Sequence, residues 1–188
     1  MNWTAALIAR HVATQTLARK CVVLVDNCNW TGHECDVLAV TTDLRIIDIE
    51  VKISRSDFKA DAHKDKWWHR FGGRYDSASG KYIETPPTPR EWPNRVWKHY
   101  FAMPADVWRD SIFEFMPSPR SGLLLLSERD GRILVKCERR STPNKQALRI
   151  KPESVMDIAR LANLRMWAAY DDVRRAQADV DHWKAKAA

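Results

Sequence analysis

The chain has 188 residues, which suits one compact domain carrying an insertion or a terminal extension better than two independent cores. Hydrophobic residues at 45% and charged residues at 29% can build a core under a solvated surface, which excludes disorder as the default, and no apolar run approaches the roughly 20 residues that span a bilayer. The formal charge of +7 favours a polyanionic partner such as DNA or RNA, and with no export signal the expected location is cytoplasmic.

Thr4 to Arg19 carries Leu7, Val12 and Leu17 at helical spacing without a breaker and predicts a first helix ending near Lys20. Cys21 to Val25 predicts a strand, followed by a loop through Asn27, Asn29 and Gly32. Cys35 to Thr41 and Leu44 to Ile53 predict two more strands joined as a hairpin, so three antiparallel strands follow the helix. Ser54 with Asp57 reads as the start of a second helix running to about Trp68. From Phe71 to Asn94 come three glycines and four prolines, and an irregular inserted loop over about residues 70–95 is expected. Val96 to Met103, Gly122 to Ser127 and Arg132 to Cys137 predict three further strands. A last helix runs from about Glu153 to Lys186 behind Pro152.

The third strand carries the chemistry. Period-two alternation puts Asp48, Glu50 and Lys52 on one face and Ile47, Ile49, Val51 and Ile53 on the other. Asp36 on the preceding strand then lies across from Glu50, and two carboxylates so placed can hold one divalent cation, Mg²⁺ or Mn²⁺ by oxygen-ligand preference. Lys52 projects from the same face and can stabilise negative charge as a phosphate is attacked. A solvated strand face on which Glu50 and Lys52 simply pair is the alternative.

The run Glu34-Cys-Asp36, a hairpin, Glu50-Val-Lys52 and then Ser-Arg-Ser-Asp-Phe resembles the PD-(D/E)xK nucleases, and more narrowly the MmcB-type DNA-repair family. Asp57-Phe58, Asp61, Lys66-Trp67, Tyr100 to Pro104 and Gly122-Leu-Leu-Leu extend the likeness, which covers roughly residues 5 to 140. Cys35 stands where the named motif has proline, and the first helix has no glutamate. The resemblance implies an α/β, restriction-endonuclease-like αβββαβ core with a mixed sheet. It also implies Asp36, Glu50 and the Val51 backbone carbonyl as metal ligands, Glu34 as a further carboxylate, and Asp36, Glu50 and Lys52 as the catalytic set of a Mg²⁺-dependent deoxyribonuclease.

Between Lys59 and Tyr100 nine lysines and arginines stand against five carboxylates, a net +4, interleaved with eight aromatic residues. That mixture suits phosphate contact with base stacking and favours single-stranded or branched DNA. The expected contacts are Arg55, Lys59, Lys66, Trp68, Arg70, Arg74 and Tyr75, while Trp97 and Tyr100 are expected to anchor the loop. Among the histidines, His33, His63 and His69 lie near the site in sequence, and one could serve as a proton shuttle or ligand, although none is assigned that role. Cys21, Cys28, Cys35 and Cys137 form no CxxC pair and read as reduced thiols.

The last helix carries a heptad seam from Val155 through Ala162, Met166, Val173 and Val180 to Trp183, with a second stripe (Ile158, Leu161, Leu164, Trp167) in its first half. The first half is expected to pack on the core and the second half to pair with a partner helix, giving a homodimer, or else to fold back. The functional expectation is DNA hydrolysis in repair or in phage and host conflict. A non-hydrolytic nucleic-acid-binding module that recognises a DNA structure or a protein partner is the alternative, and RNA remains open as substrate.

Overall fold

The computed structural model describes residues 2–70 and 72–187, and for Arg74 and Ala187 the backbone alone. Phe71 and the Arg74 side chain, both part of the expected basic and aromatic loop, lie outside the described residues.

The first helix, α1 (Ala5–Val12), starts where the Thr4 hydroxyl accepts the Leu7 N–H at 3.2 Å, and it buries Ile8 and Val12. It then widens into a π-turn over Ala13–Leu17, shorter than the predicted run to Arg19. Thr14 donates its hydroxyl back to the Arg10 carbonyl at 2.9 Å, and Gln15 leaves the helix face to bond Ile133 O and Val135 N, so tertiary bonds replace the last regular turn.

Strands β1 (Cys21–Cys28), β2 (Cys35–Thr41) and β3 (Ile46–Val51) form the predicted antiparallel meander. β3 begins two residues later than the sequence suggests, because Leu44 takes a left-handed φ of 61° and belongs to the turn. β4 (Lys98–Pro104) pairs parallel with β3, β5 (Gly122–Arg129) parallel with β4, and β6 (Arg132–Arg139) antiparallel with β5. The sheet order is β1-β2-β3-β4-β5-β6, a mixed sheet with β3 and β4 at its centre, and the αβββαβ order is present.

One sheet face (Val37, Ala39, Ile47, Ile49, Val51, Ala102, Leu124) packs under α1. The opposite face divides in two. At one end Leu38, Val40 and Ile46 meet Ile150 and Ile158, the latter on α3 (Pro152–Ala187). At the other end Phe101, Met103 and Leu123 meet Phe58 and Trp67.

The second helix is the clearest departure. α2 covers only Arg55–Ala60, capped by Ser54 Oγ accepting from Asp57 N at 3.1 Å, and two 3₁₀ turns follow at Asp61–His63 and Asp65–Trp67. Lys64, with an extended ψ of 140°, separates them. The insert is also more regular than expected. Trp68–His69 pairs with Thr88–Pro89, and Arg74–Asp76 pairs with Lys81–Ile83 around a turn where Gly80 takes a φ of 65°. A 3₁₀ helix at Asp110–Phe115 was not foreseen.

Along α3, Ile158 is buried, and Val155, Leu161 and Ala162 pack beside it. Arg165 closes the docked part by donating to Asp26 Oδ1 at 3.1 Å and Asn27 O at 3.0 Å. Leu164 and Trp167 of the second stripe are exposed, and so is every described side chain from Met166 onward, so only Ile158 and Leu161 of that stripe reach the core. Fold-back of the distal half does not occur. Among the described residues no helix is long and apolar enough to cross a membrane.

Candidate active site

Strand alternation places Asp48, Glu50 and Lys52 on one face of β3, as predicted, but that face is not solvated. Their side chains are almost fully buried, beneath the irregular segment that follows α2. The register sets Val37 opposite Ile49, which brings Asp36 to the level of Glu50 at the start of β2. Asp36 Oδ2 accepts the Val51 N–H at 2.6 Å. Burial first, then the charge of Glu50, raises the Asp36 carboxyl to about 6.

Glu50 lies among cations. Lys52 Nζ stands 3.3 Å and Lys64 Nζ 3.1 Å from Oε2, while Lys66 Nζ forms an ion pair with Oε1 at 2.5 Å. Asp61, wholly buried, binds the same three lysines, with Lys52 at 2.7 Å, Lys64 at 2.8 Å and Lys66 at 3.8 Å, and its Oδ2 accepts the Trp67 indole N–H at 2.9 Å. Burial opposes ionisation of Asp61, yet Lys66 and Lys52 hold its carboxyl well below the usual range. Lys64 and Lys66 are held above the usual lysine range against their own desolvation, Lys64 by Asp61 and Glu50 and Lys66 by Asp48 and Glu50.

The break at Lys64 explains this geometry. A continuous helix from Ser54 would turn Lys64 and Lys66 roughly 200° apart, at 100° per residue, whereas the 3₁₀ turns deliver both ammonium groups to one carboxylate pair. Asp57, Asp61 and Lys64, spaced four and three, were the legible sign that this segment presents a polar face back to the sheet.

Asp36, Glu50 and Lys52 are therefore brought together. Glu34 is exposed and makes no hydrogen bond or ion pair with them. The donor chemistry fits Mg²⁺ or Mn²⁺, since two hard carboxylates repel each other at one mouth. Lys64, the half-exposed member of the lysine set, is the group a cation would displace from Glu50.

The expected nucleic-acid contacts divide. Lys66 is a correction: its ammonium is buried against Glu50, Asp61 and Asp48 and is not offered to phosphate. Arg55 is exposed and donates to Val107 O at 2.8 Å, Lys59 sits 3.9 Å over the Phe115 ring, and Trp68 is half-buried with its indole N–H on Ala62 O. Arg70 is exposed and paired with Asp65, and Tyr75 is exposed. Trp97 and Tyr100 pack against the core as anchors. A cleft of about 830 Å³ not foreseen from sequence lies between the insert (Arg90, Trp92, Arg95) and the segment before α3 (Arg149, Lys151), with Arg95 stacked 5.1 Å from the Trp30 ring.

No family model and no curated relative matches the chain. Among solved structures it is similar to a protein of unknown function from Silicibacter pomeroyi, with 20% identity over 95% of this chain and 92% of that one, at a TM-score of 0.48.

Proposed function

We propose that this protein is a phosphodiesterase of the PD-(D/E)xK type, and more particularly a Mg²⁺- or Mn²⁺-dependent deoxyribonuclease. The observation that carries the reading is the meeting of Asp36 and Glu50 on one largely buried polar face with Lys52 Nζ 3.3 Å from Glu50. A bound divalent cation would supply Lewis-acid activation and neutralise charge at the scissile phosphate. Asp36 and Glu50 would hold it. Lys52, buried like Lys66 and fixed 3.3 Å from Glu50 and 2.7 Å from Asp61, would add positive charge beside the bound cation rather than contact the phosphate directly. The exposed Arg70 and Tyr75 and the basic cleft favour DNA with unpaired stretches as substrate.

A second reading rests on a specific observation as well. Both oxygens of Glu50 are engaged by lysines, an arrangement that suits a nucleic-acid-binding module without hydrolysis. Cleavage of labelled single-stranded, duplex and branched DNA, with parallel RNA, is compared in Mg²⁺, Mn²⁺ and EDTA for the wild type and Lys52→Ala. Metal-dependent cutting that the variant loses supports the nuclease. Binding without cutting by the wild type overturns it in favour of the module.

A further inference from the structure

Around Asp48, whose Oδ2 also lies 4.0 Å from Lys66 Nζ, a different set of atoms converges. His33 Nε2 lies 3.0 Å from Asp48 Oδ2 and 3.8 Å from Cys35 Sγ, and the three ligand atoms of His33, Cys35 and Asp48 all fall within 4.8 Å of one another. His99, on the neighbouring strand β4, points its Nε2 at the same Asp48 oxygen from 3.8 Å. We propose that His33, Cys35, Asp48 and His99 form a site for a borderline transition-metal ion, Zn²⁺ in kind, distinct from the Asp36 and Glu50 pair.

The edge lengths support it. With Zn–N and Zn–O near 2.0 Å and Zn–S near 2.3 Å, tetrahedral geometry sets N to O edges at about 3.3 Å and S to N edges at about 3.6 Å. The observed N to O edge of 3.0 Å is somewhat shorter than its ideal and the S to N edge of 3.8 Å somewhat longer. His99 stands outside the compact group, so the site requires its approach and an opening of the 3.0 Å contact between His33 Nε2 and Asp48 Oδ2.

The second support is independent of those distances. His99 is wholly buried, and its Nε2, which faces the Asp48 Oδ2 of the site, has no hydrogen-bond partner. A buried ring nitrogen left open costs free energy unless something else satisfies it. The second ring nitrogen of His99 is held as in metal-bound histidines, with Nδ1 2.9 Å from Ser121 Oγ and Nε2 left facing Asp48. The Thr31 hydroxyl lies against the His33 ring, 3.2 Å from Nδ1 and 3.4 Å from Nε2.

Charge balance also holds. A divalent ion with one thiolate and one carboxylate is neutral, so Lys66, 4.0 Å from Asp48, keeps its partners Glu50 and Asp61. Binding releases the Cys35 thiol proton to solvent through the half-buried His33 edge. The ion would clip the loop after β1 to the two central strands beside Glu50.

Cobalt substitution tests the site on the whole protein. One equivalent of Co²⁺ added to chelator-treated protein is expected to give the intense visible bands of four-coordinate cobalt and a near-ultraviolet thiolate charge-transfer band. Cys35→Ser, which keeps the side-chain shape, should lose the charge-transfer band. His33→Ala, altering a part-exposed residue, should bind Co²⁺ at least about tenfold more weakly, and thermal melts of both variants check the fold. Excess Mg²⁺ should leave the spectrum unchanged. Absence of a four-coordinate spectrum in the wild type, or an unaltered charge-transfer band in folded Cys35→Ser, overturns the proposal.

Discussion

Lys66→Met tests how the buried charges are held. The substitution keeps the length of the stem and removes an ammonium whose side chain is 2% exposed and which lies 2.5 Å from Glu50, 3.8 Å from Asp61 and 4.0 Å from Asp48. Three buried carboxylates are then left to Lys52, Lys64 and the two histidines. Removing one partner from a buried ionic set costs about 3–5 kcal/mol, because the uncompensated charge stays desolvated. In a chain of this size each kcal/mol moves Tm by about 2–4 °C, so a fall of roughly 6–20 °C is expected by differential scanning calorimetry. Lys64→Met is the control. It meets the same Glu50 and Asp61 at 3.1 and 2.8 Å, but half its side chain is in water, and its loss should cost no more than about 1 kcal/mol. Millimolar Mg²⁺ should restore more of the lost Tm in Lys66→Met than it adds to the wild type. A Lys66→Met protein within about 1 kcal/mol of the wild type in urea unfolding would refute the view that this lysine neutralises the cluster.

Asp36→Asn is expected to stabilise the metal-free protein near neutral pH while abolishing cleavage. The folded carboxyl titrates at about 6 against an ordinary 3.8, so the folded state binds the proton more tightly. Wild-type stability therefore falls as pH rises across that window, and the gain in Asp36→Asn should be absent at about pH 4 and full above about pH 7, read as Tm in a chelating buffer. Gly122→Ala should destabilise by about 1–3 kcal/mol in urea, since a Cβ there would collide with the Tyr100 ring and come within 2.7 Å of Ser141 N. Ending the chain at Tyr170 should leave Tm unchanged, because the removed turns touch nothing in the core, and should convert a dimer to a monomer in light scattering. A parallel pairing through Val173 and Val180 would set Asp179 against Lys184 of a second copy. A monomer at full length would exclude that pairing.

How far the site was legible varies residue by residue. Asp36, Glu50 and Lys52 were readable because strand alternation is a backbone property with a period of two, and a hairpin register aligns neighbouring strands without help from the rest of the chain. Lys66 was misread as a surface contact because, in a predicted helix, it falls in a row of basic and aromatic residues, and only the break at Lys64 turns it inward. Cys35 was read as a reduced thiol, and it is free and buried, but its neighbours His33, Asp48 and His99 were not legible because they come from a loop and two other strands and share no spacing motif.

The amino-acid pattern alone determined the meander, the central apolar strands, the facing of Asp36 and Glu50, and the length of the last helix, all of which follow from local periodicity and turn chemistry. The tertiary structure decided which charges are buried, because burial depends on what covers a face rather than on the face itself. It set Asp61, Lys64 and Lys66 over Glu50, gathered His33, Cys35 and His99 around Asp48, and left α3 without cover beyond Arg165, where no second layer of the fold remains to meet it.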